Sequence, residues 1–405
     1  MSTAQAGVPT RMLADFPTTR ELLLHELADL RENAPLAWLP EINGYLLTRR
    51  ADVSALLKDR RLDSSIAEQG FTMLSDDQLA ALAPLRRCVS LWMGHTTTDG
   101  HRRFQMLLKR YFTPAAMEDL RPNVRRIAEE LIDKVIDAGT MDVVTDLAVP
   151  LPANVIADLL GMPVEDRPML RVWSESVIKV FTQSGFDDLL SAQEGVAEFQ
   201  RYLNGLVESR RGNLGDDLIS TLLRAEVEGQ ISTEEIVANC LLILFAGHET
   251  TAGVITHGIA LLLENPDQLA LLRERPELGP AAVEEILRCE GTANTIVRDA
   301  SEDFEHDGRR FEKGERFYVS LYAANHDPAF IADPDRFDIT RDRSVHLAFG
   351  TGIFYCLGAS LARVETDECL KVFLERIPNA QLAGAPVWGM APPAGHRIES
   401  LPITY

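Results

Sequence analysis

The sequence predicts a mainly α fold with minor sheet, and three observations carry that prediction. From Asp99 to about Ile286 apolar residues recur almost throughout at helical spacing. One uninterrupted pattern of about 32 residues runs from Ser232 to Asn265-Pro266, far beyond the ~11–12 residues of an average helix. Extended runs are short and confined to the two ends and to residues 296–345. No repeat, linker or low-complexity tract breaks the 405 residues, so one continuous domain over 1–405 is expected.

Taken in order, the spacing predicts a helix over Thr19–Glu32 and a short strand at Gly44–Thr48, whose middle is Tyr45-Leu46-Leu47. Asp52–Lys58 reads as helix. Residues 65–98 read as irregular, with Phe71, Met73, Leu91, Trp92 and Met93 in loop-like surroundings. The long central helix opens at Ser232, an N-cap, with Glu235 in capping-box position. Ile236, Cys240, Leu241, Leu244 and Phe245 make its first half apolar on nearly every face, which places it through the core. In its middle stands Ala246-Gly247-His248-Glu249-Thr250-Thr251. A mid-helix Gly costs roughly 1 kcal/mol relative to Ala, and Thr is a poor helix former, so this cost inside a strong helix points to function. Residues 296–345 mix short strands with turns. A helix over Leu357–Ile377 and short strands then close the chain at Tyr405.

Composition narrows the function classes. With 46% hydrophobic residues the chain has ample material for a core, which excludes global disorder. A net charge of −21 argues against nucleic-acid binding driven by phosphate neutralisation. Cys88, Cys240, Cys289, Cys356 and Cys369 form no CxxC pair and suit a reducing compartment. No apolar segment marks residues 1–20 as a secretory signal. The longest apolar run, Cys240–Gly247, is far short of the ~20 residues that span a bilayer. A cytoplasmic protein without a membrane span is expected.

The chemistry concentrates in the segment from Phe349 to Arg363. Here a glycine-rich loop with Gly350, Gly352 and Gly358 delivers Cys356 to the start of a helix. Loop N–H groups, the helix N-terminus and a shielding aromatic all favour a thiolate. The glycines allow a flat, bulky partner to approach the backbone. A thiolate so placed suits haem iron, whose O–O-cleaving chemistry it promotes. On the central helix, Glu249 and Thr250 pair an acid with a hydroxyl, which together can relay protons into a dry pocket. Glu285 and Arg288, three apart, can share one helix face as an ion pair.

The cysteine segment resembles the haem-binding signature of the cytochrome P450 family, in its soluble bacterial branch. Ala246-Gly247-His248-Glu249-Thr250-Thr251 is similar to the family's oxygen-activating motif, and Glu285-Ile286-Leu287-Arg288 to its E-x-x-R. Pro334-Asp335-Arg336-Phe337, Asn325-His326-Asp327-Pro328 and Phe112-Thr113-Pro114 sit where the family has similar words. The resemblance implies a P450-type fold with small, mostly antiparallel sheets, haem b as cofactor and Cys356 as the axial ligand of its iron. It implies a monooxygenase that takes electrons from NAD(P)H through a ferredoxin reductase and ferredoxin, and uses dioxygen to hydroxylate or epoxidise a hydrophobic small molecule. Glu249 and Thr250 would serve proton delivery. Ala246, Gly247, Phe349, Gly350, Gly352 and Gly358 would flank the haem. His101 and Arg298 would meet its propionates, and Glu285, Arg288 and Arg336 would form a buried structural triad.

Two positions depart from the family pattern. Phe354 stands where a His or Arg is usual, and Gln105 where an Arg is usual; Thr97-Thr98-Asp99 also replaces an Asp-Pro-Pro. Altered propionate contacts follow, with Arg102, Arg103 or His346 as replacements and weaker haem retention as the consequence. Lys109, Arg110, Arg343 and Arg363 could form a positive patch for an acidic iron–sulfur partner. Trp92, Phe181, Leu242, Asn294, Ile296 and Met390 are the expected substrate walls, apolar with few polar anchors. Two other readings stay open on the sequence: an oxidase of the same fold that couples or rearranges without oxygen insertion, and a non-catalytic haem-binding sensor.

Overall fold

The computed structural model describes residues 20–64, 71, 74–94, 97–109, 111–181, 185–341, 346–391 and 395–405. Its axis is the helix Thr233–Glu264, 32 residues long. Ser232 Oγ accepts the Glu235 N–H while the Glu235 carboxylate accepts the Ser232 N–H at 2.9 Å, so the expected capping box forms. Pro266 opens the next helix, Pro266–Glu274, which fixes where the first one stops. Every residue from Ile236 to Leu244, and again from Val254 to Leu262, is buried. Each such Leu or Ile contributes about 1.5–3 kcal/mol of burial, and Leu241→Ala would cost about 2–5 kcal/mol. By length and composition this helix could cross a bilayer, but 67% of its most apolar window is buried inside the protein.

Gly247 has a packing reason. A Cβ there would lie 2.6 Å from Ile156 Cδ1, on the crossing helix Pro150–Leu160. The propensity cost read from the sequence therefore secures close contact of two helices. The helix Ala359–Arg376 packs on the other side, with Leu361, Val364, Cys369, Leu370 and Phe373 buried. The helices Met169–Phe181 and Phe186–Arg211 cover the central helix from outside, joined by Trp173 stacked on Phe199 at 4.5 Å.

The largest sheet has five strands in the order Leu36–Leu39, Gly44–Leu47, Arg316–Ser320, Thr295–Ala300, Leu62–Asp63. All neighbours are antiparallel except Gly44–Leu47 beside Arg316–Ser320, where Tyr45 pairs with Phe317. Smaller pairings join Val387–Ala391 to Gly395–Ser400, Phe304–His306 to Arg309–Phe311, and Thr140–Asp142 to Pro402–Thr404 to Gln381–Leu382.

The architecture is the expected mainly α fold, with local differences. The stretch 65–98 holds two helices among its described residues, Asp76–Ala81 and Ala83–Ser90, the first opened by a Ser75–Gln78 capping box. Leu36–Leu39 is a strand, Thr140–Asp142 interrupts the helical region, and Leu321–Asn325 is a helix among the strands. The helix expected at Asp52–Lys58 lies at Arg50–Leu56. Thr19 and Met73 lie outside the described residues.

Candidate active site

The cysteine loop is built by two left-handed glycines. Gly350 has φ 67° and Gly352 φ 78°, a region that disfavours any other residue. At Gly352 a Cβ would also strike Leu57 O at 2.7 Å. The loop closes through Cys356 N–H donating to Phe349 O at 3.0 Å. Of the five cysteines Cys356 alone is exposed, yet it is enclosed deeply enough that burial dominates its titration. Burial pushes the thiol up, and the N–H groups of Gly358 and Ala359 with the Arg363 charge offset this only in part. Binding to a metal ion would favour its thiolate form. A Cβ on Gly358 would meet nothing within 4 Å, so protein packing does not demand that glycine and the loop face stays clear.

On the central helix the run of buried residues breaks at the motif. Ala246 and Thr250 are exposed, and Gly247 and Glu249 half-buried, between fully buried stretches on either side. The Thr250 hydroxyl donates to Ala246 O at 2.8 Å, and that of Thr251 to Gly247 O at 3.0 Å. With its proton so committed, Thr250 presents only lone pairs to the opening. Glu249 Oε1 lies 3.2 Å from His248 Nε2. Burial pushes this carboxyl up, but His248 and the Arg397 charge outweigh it and hold it below the usual carboxylate range. Thr292, in the loop after the helix Gly279–Glu290, donates to Thr250 O at 3.1 Å. Neighbouring Gly291 packs so tightly on Ala348 that a Cβ would come within 3.0 Å. This loop therefore bridges the Thr250 side and the approach to the cysteine loop. Glu365, beneath Thr251, was not foreseen: it is fully buried, neither oxygen has a hydrogen-bond partner among the described residues, and burial, only partly opposed by Thr251, holds it well above the carboxylate range.

The residues present fit a dianionic, flat cofactor. Arg298 is buried; its guanidinium donates to Val297 O at 2.7 Å but has no acidic partner among the described residues, and its Nε is unsatisfied there. Desolvation alone lowers its pKa to about 10. An unpaired buried cation of this kind demands an anion. His101 donates Nδ1–H to Met93 O at 2.8 Å, and its Nε2 is unsatisfied. Between them lies Phe354, 4.6 Å from the Arg298 guanidinium and 4.6 Å from the His101 ring. Gln105 bonds the loop at Ile353 O, 3.4 Å away. Thus the departure at Phe354 swaps a polar donor for an aromatic spacer. The suggested substitutes are used elsewhere: Arg103 binds Gln230 O and Glu235, half-buried Arg102 lies near Asp99, and His346 binds Glu284 at 3.1 Å.

The structural triad needs one correction. Arg288, fully buried, holds Glu285 with two bonds of 2.8 Å and caps the carbonyls of Pro334, Asn325 and Arg336. Arg336 contributes only that carbonyl; its side chain is 63% exposed and 3.8 Å from Asp338. The third arginine is Arg341, whose Nε reaches Glu285 at 3.0 Å. The chain turns between 333 and 341 so that Arg341 faces inward, while the Pro334-Asp335-Arg336 turn faces water. Nearby, Glu284 takes bonds from His346 and Arg363; burial raises its pKa, but these two outweigh it and bring it down to about 2. Arg363 is thereby neutralised, so it does not supply a free charge to the expected basic patch. Lys109 is exposed, and Arg110 and Arg343 lie outside the described residues.

The expected substrate walls divide. Phe181 is half-buried and stacks on Phe245 at 4.8 Å. Trp92 lies behind it, stacked on Phe181 at 5.2 Å and buried, so it backs the wall instead of lining it. Leu242 is buried in the core; Asn294 is buried against His396 at 3.4 Å; Ile296 packs on the aromatic core of the five-stranded sheet. Of these three, Leu242 and Asn294 are buried and Ile296 is half-buried. Met390 is on the strand Val387–Ala391, its side chain outside the described residues. Asn239 was missed: it accepts Met93 N–H at 2.7 Å and donates to Leu91 O at 2.8 Å, stapling that segment to the central helix.

The family model described as Cytochrome P450 matches residues 94–377. The biotin biosynthesis cytochrome P450 of Bacillus subtilis (strain 168) is 35% identical over 366 residues, covering 89% of this chain and 90% of that protein. The cytochrome P450 monooxygenase PikC of Streptomyces venezuelae is 40% identical over 313 residues, 75% of this chain and 74% of its own. Among solved structures, a myxobacterial cytochrome P450 in complex with myristic acid superposes with a TM-score of 0.88 at 37% identity, covering 98% of this chain and 99% of that one.

Proposed function

The chain belongs to the cytochrome P450 family, and from that premise we propose that it inserts one atom of dioxygen into a hydrophobic small molecule, by hydroxylation or epoxidation. The enzyme is a haem b monooxygenase. Electrons from NAD(P)H would reach it through a ferredoxin reductase and ferredoxin, in the cytoplasm, with residues 1–405 acting as one domain. Two electrons and two protons then balance the reaction: one oxygen atom enters the product and the other leaves as water.

When bound, haem supplies a redox-active iron at which dioxygen is reduced and its O–O bond broken. Cys356 would hold the haem iron through its sulfur, with Gly350, Gly352 and Gly358 leaving the loop face open. Arg298 and His101 would hold a propionate, and Phe354 would space them apart. Thr250, its proton given to Ala246 O, would accept a hydrogen bond from the oxygen side of the pocket. Glu249 would feed protons from the half-exposed side. Phe181 and Phe245 would meet the substrate with apolar faces; a structural neighbour in complex with myristic acid supports an apolar ligand.

The observation that carries this reading is the break in burial at Ala246–Thr250, in a helix buried above and below, together with a single exposed cysteine. The test is product analysis under labelled dioxygen with a surrogate ferredoxin system and a panel of apolar ligands. Labelled oxygen in a product supports insertion; coupled or rearranged products without label would refute it.

A further inference from the structure

Four buried histidines aim Nδ1 at a backbone carbonyl: His101 at Met93 O (2.8 Å), His248 at Leu244 O (2.8 Å), His257 at Glu290 O (2.9 Å) and His326 at Tyr322 O (2.9 Å). A carbonyl oxygen only accepts, so Nδ1 carries the proton in each, and Nε2 of a neutral ring is left as an acceptor. In His101, His257 and His326 that Nε2 has no partner among the described residues. In His248 it stands 3.2 Å from Glu249 Oε1. An ionised carboxylate is also purely an acceptor. Two acceptors at that separation require a proton between them.

The other carboxylate-bound histidines escape this requirement. His346 Nδ1 accepts Ala348 N–H at 3.1 Å, and His396 Nδ1 is met by the Asn294 amide at 3.4 Å. Each neutral ring can then donate Nε2–H to its acid, Glu284 at 3.1 Å and Glu290 at 2.8 Å. Among the described residues, the backbone thus forces an additional proton only onto the His248–Glu249 pair, one residue from Thr250.

We propose that His248 is a positioning residue of the proton supply: its Nδ1–H is fixed by Leu244 O, and its Nε2 keeps a proton shared with Glu249 Oε1. This rests on the reading of Glu249 as the acid that serves Thr250. On delivery the Nε2–H bond breaks and a Glu249 O–H bond forms, and that proton passes on. The pair is left as a neutral Nδ1–H imidazole beside an ionised carboxylate. A solvent proton entering at Glu249, whose side chain is 30% exposed, restores it.

The surroundings favour such a pair. Arg397, from the strand Gly395–Ser400, is the other charge acting on Glu249. Phe245 meets the His248 ring edge-on at 6.4 Å. Ile156 closes the adjacent Gly247 position with an apolar chain. Burial holds the Glu365 carboxyl, on the helix Ala359–Arg376, well above the usual carboxylate range.

The test is two-bond ¹H–¹⁵N correlation of the ¹⁵N-histidine-labelled, haem-loaded protein in its reduced carbon monoxide form, which reads the protonation of each ring nitrogen. His248 signals are identified by their loss in His248→Asn, and an unchanged carbon monoxide spectrum certifies the fold of each variant. The expected result is a proton on both ring nitrogens of His248 in the native protein, with the Nε2 proton lost in Glu249→Gln while Nδ1–H stays. A neutral His248 in the native protein, or an Nε2 signal unmoved in Glu249→Gln, would overturn the proposal. Coupling of NAD(P)H use to product separates the two readings: undiminished coupling in Glu249→Gln overturns the proton-supply role, whereas a neutral His248 overturns the shared proton whatever the coupling.

Discussion

Arg336 and Arg341 offer a direct comparison, since both lie in the turn behind the cysteine loop and only one reaches Glu285. Consider Arg336→Met and Arg341→Met made separately. Glu285 is 2% exposed and receives Arg341 Nε at 3.0 Å, besides Arg288 and the Asp338 N–H at 3.1 Å. Removing Arg341 leaves a buried carboxylate with Arg288 still in place, so the loss falls below the full cost of breaking a buried pair. One charged hydrogen bond, ~1.5–3 kcal/mol, sets the scale. Arg341 also caps Ala332, Asp333 and Arg336 carbonyls near the surface, which adds a fraction more. A total of about 2–3 kcal/mol is expected, a sizeable share of the ~5–15 kcal/mol that holds a domain. Arg336→Met removes only a 3.8 Å contact of a 63% exposed side chain; at most about 0.5 kcal/mol is at stake. Urea unfolding of the haem-loaded protein, followed by circular dichroism, reads both. Equal destabilisation by the two changes, or a larger loss from Arg336→Met, would refute the reasoning.

The other predictions concern cofactor, protons and pH. Phe354→His restores a donor between Arg298 and His101, and should slow haem transfer to an acceptor protein about 10- to 100-fold, from the ~1.5–3 kcal/mol of a charge-assisted bond; unchanged transfer would argue that Phe354 is a sufficient spacer. Glu249→Gln and Thr250→Ala should each lower product formed per NAD(P)H consumed by about tenfold or more, whereas a sensor would be indifferent to both. Glu284, held at about 2 against an ordinary 4.5, stabilises the fold fully above pH ~4.5, and that stability is lost as pH falls towards ~2. Glu284→Gln should therefore flatten the stability–pH slope across that window by close to one proton, and an unchanged slope in acid titration would contradict the Glu284 assignment.

Local signals made the central helix and the cysteine loop readable. A Ser-x-x-Glu box and an Asn-Pro stop act within a few residues of the ends they define, and Cys356 with its glycines forms one contiguous segment. The same kind of signal was available at Ser75–Gln78, where a capping box opens a six-residue helix in a stretch that reads as irregular. Short length and weak periodicity hid it. What depends on contacts across the chain was not readable. Gly44–Leu47 pairs in parallel with Arg316–Ser320 some 270 residues away, and the flanking residues give no hint of it. Which of Arg336 and Arg341 turns inward is decided by the path of the turn. Gly247 suggested function but answers to Ile156. At Phe354 the sequence exposed a missing donor, and only the fold places its ring between Arg298 and His101.

The central claim is that Cys356 presents a thiolate to haem iron within an intact fold. The carbon monoxide difference spectrum of the dithionite-reduced, haem-loaded protein tests it most directly. A strongly red-shifted Soret band, lost in Cys356→His, is the predicted result. A band typical of histidine or protonated-thiol ligation in the native protein would contradict it.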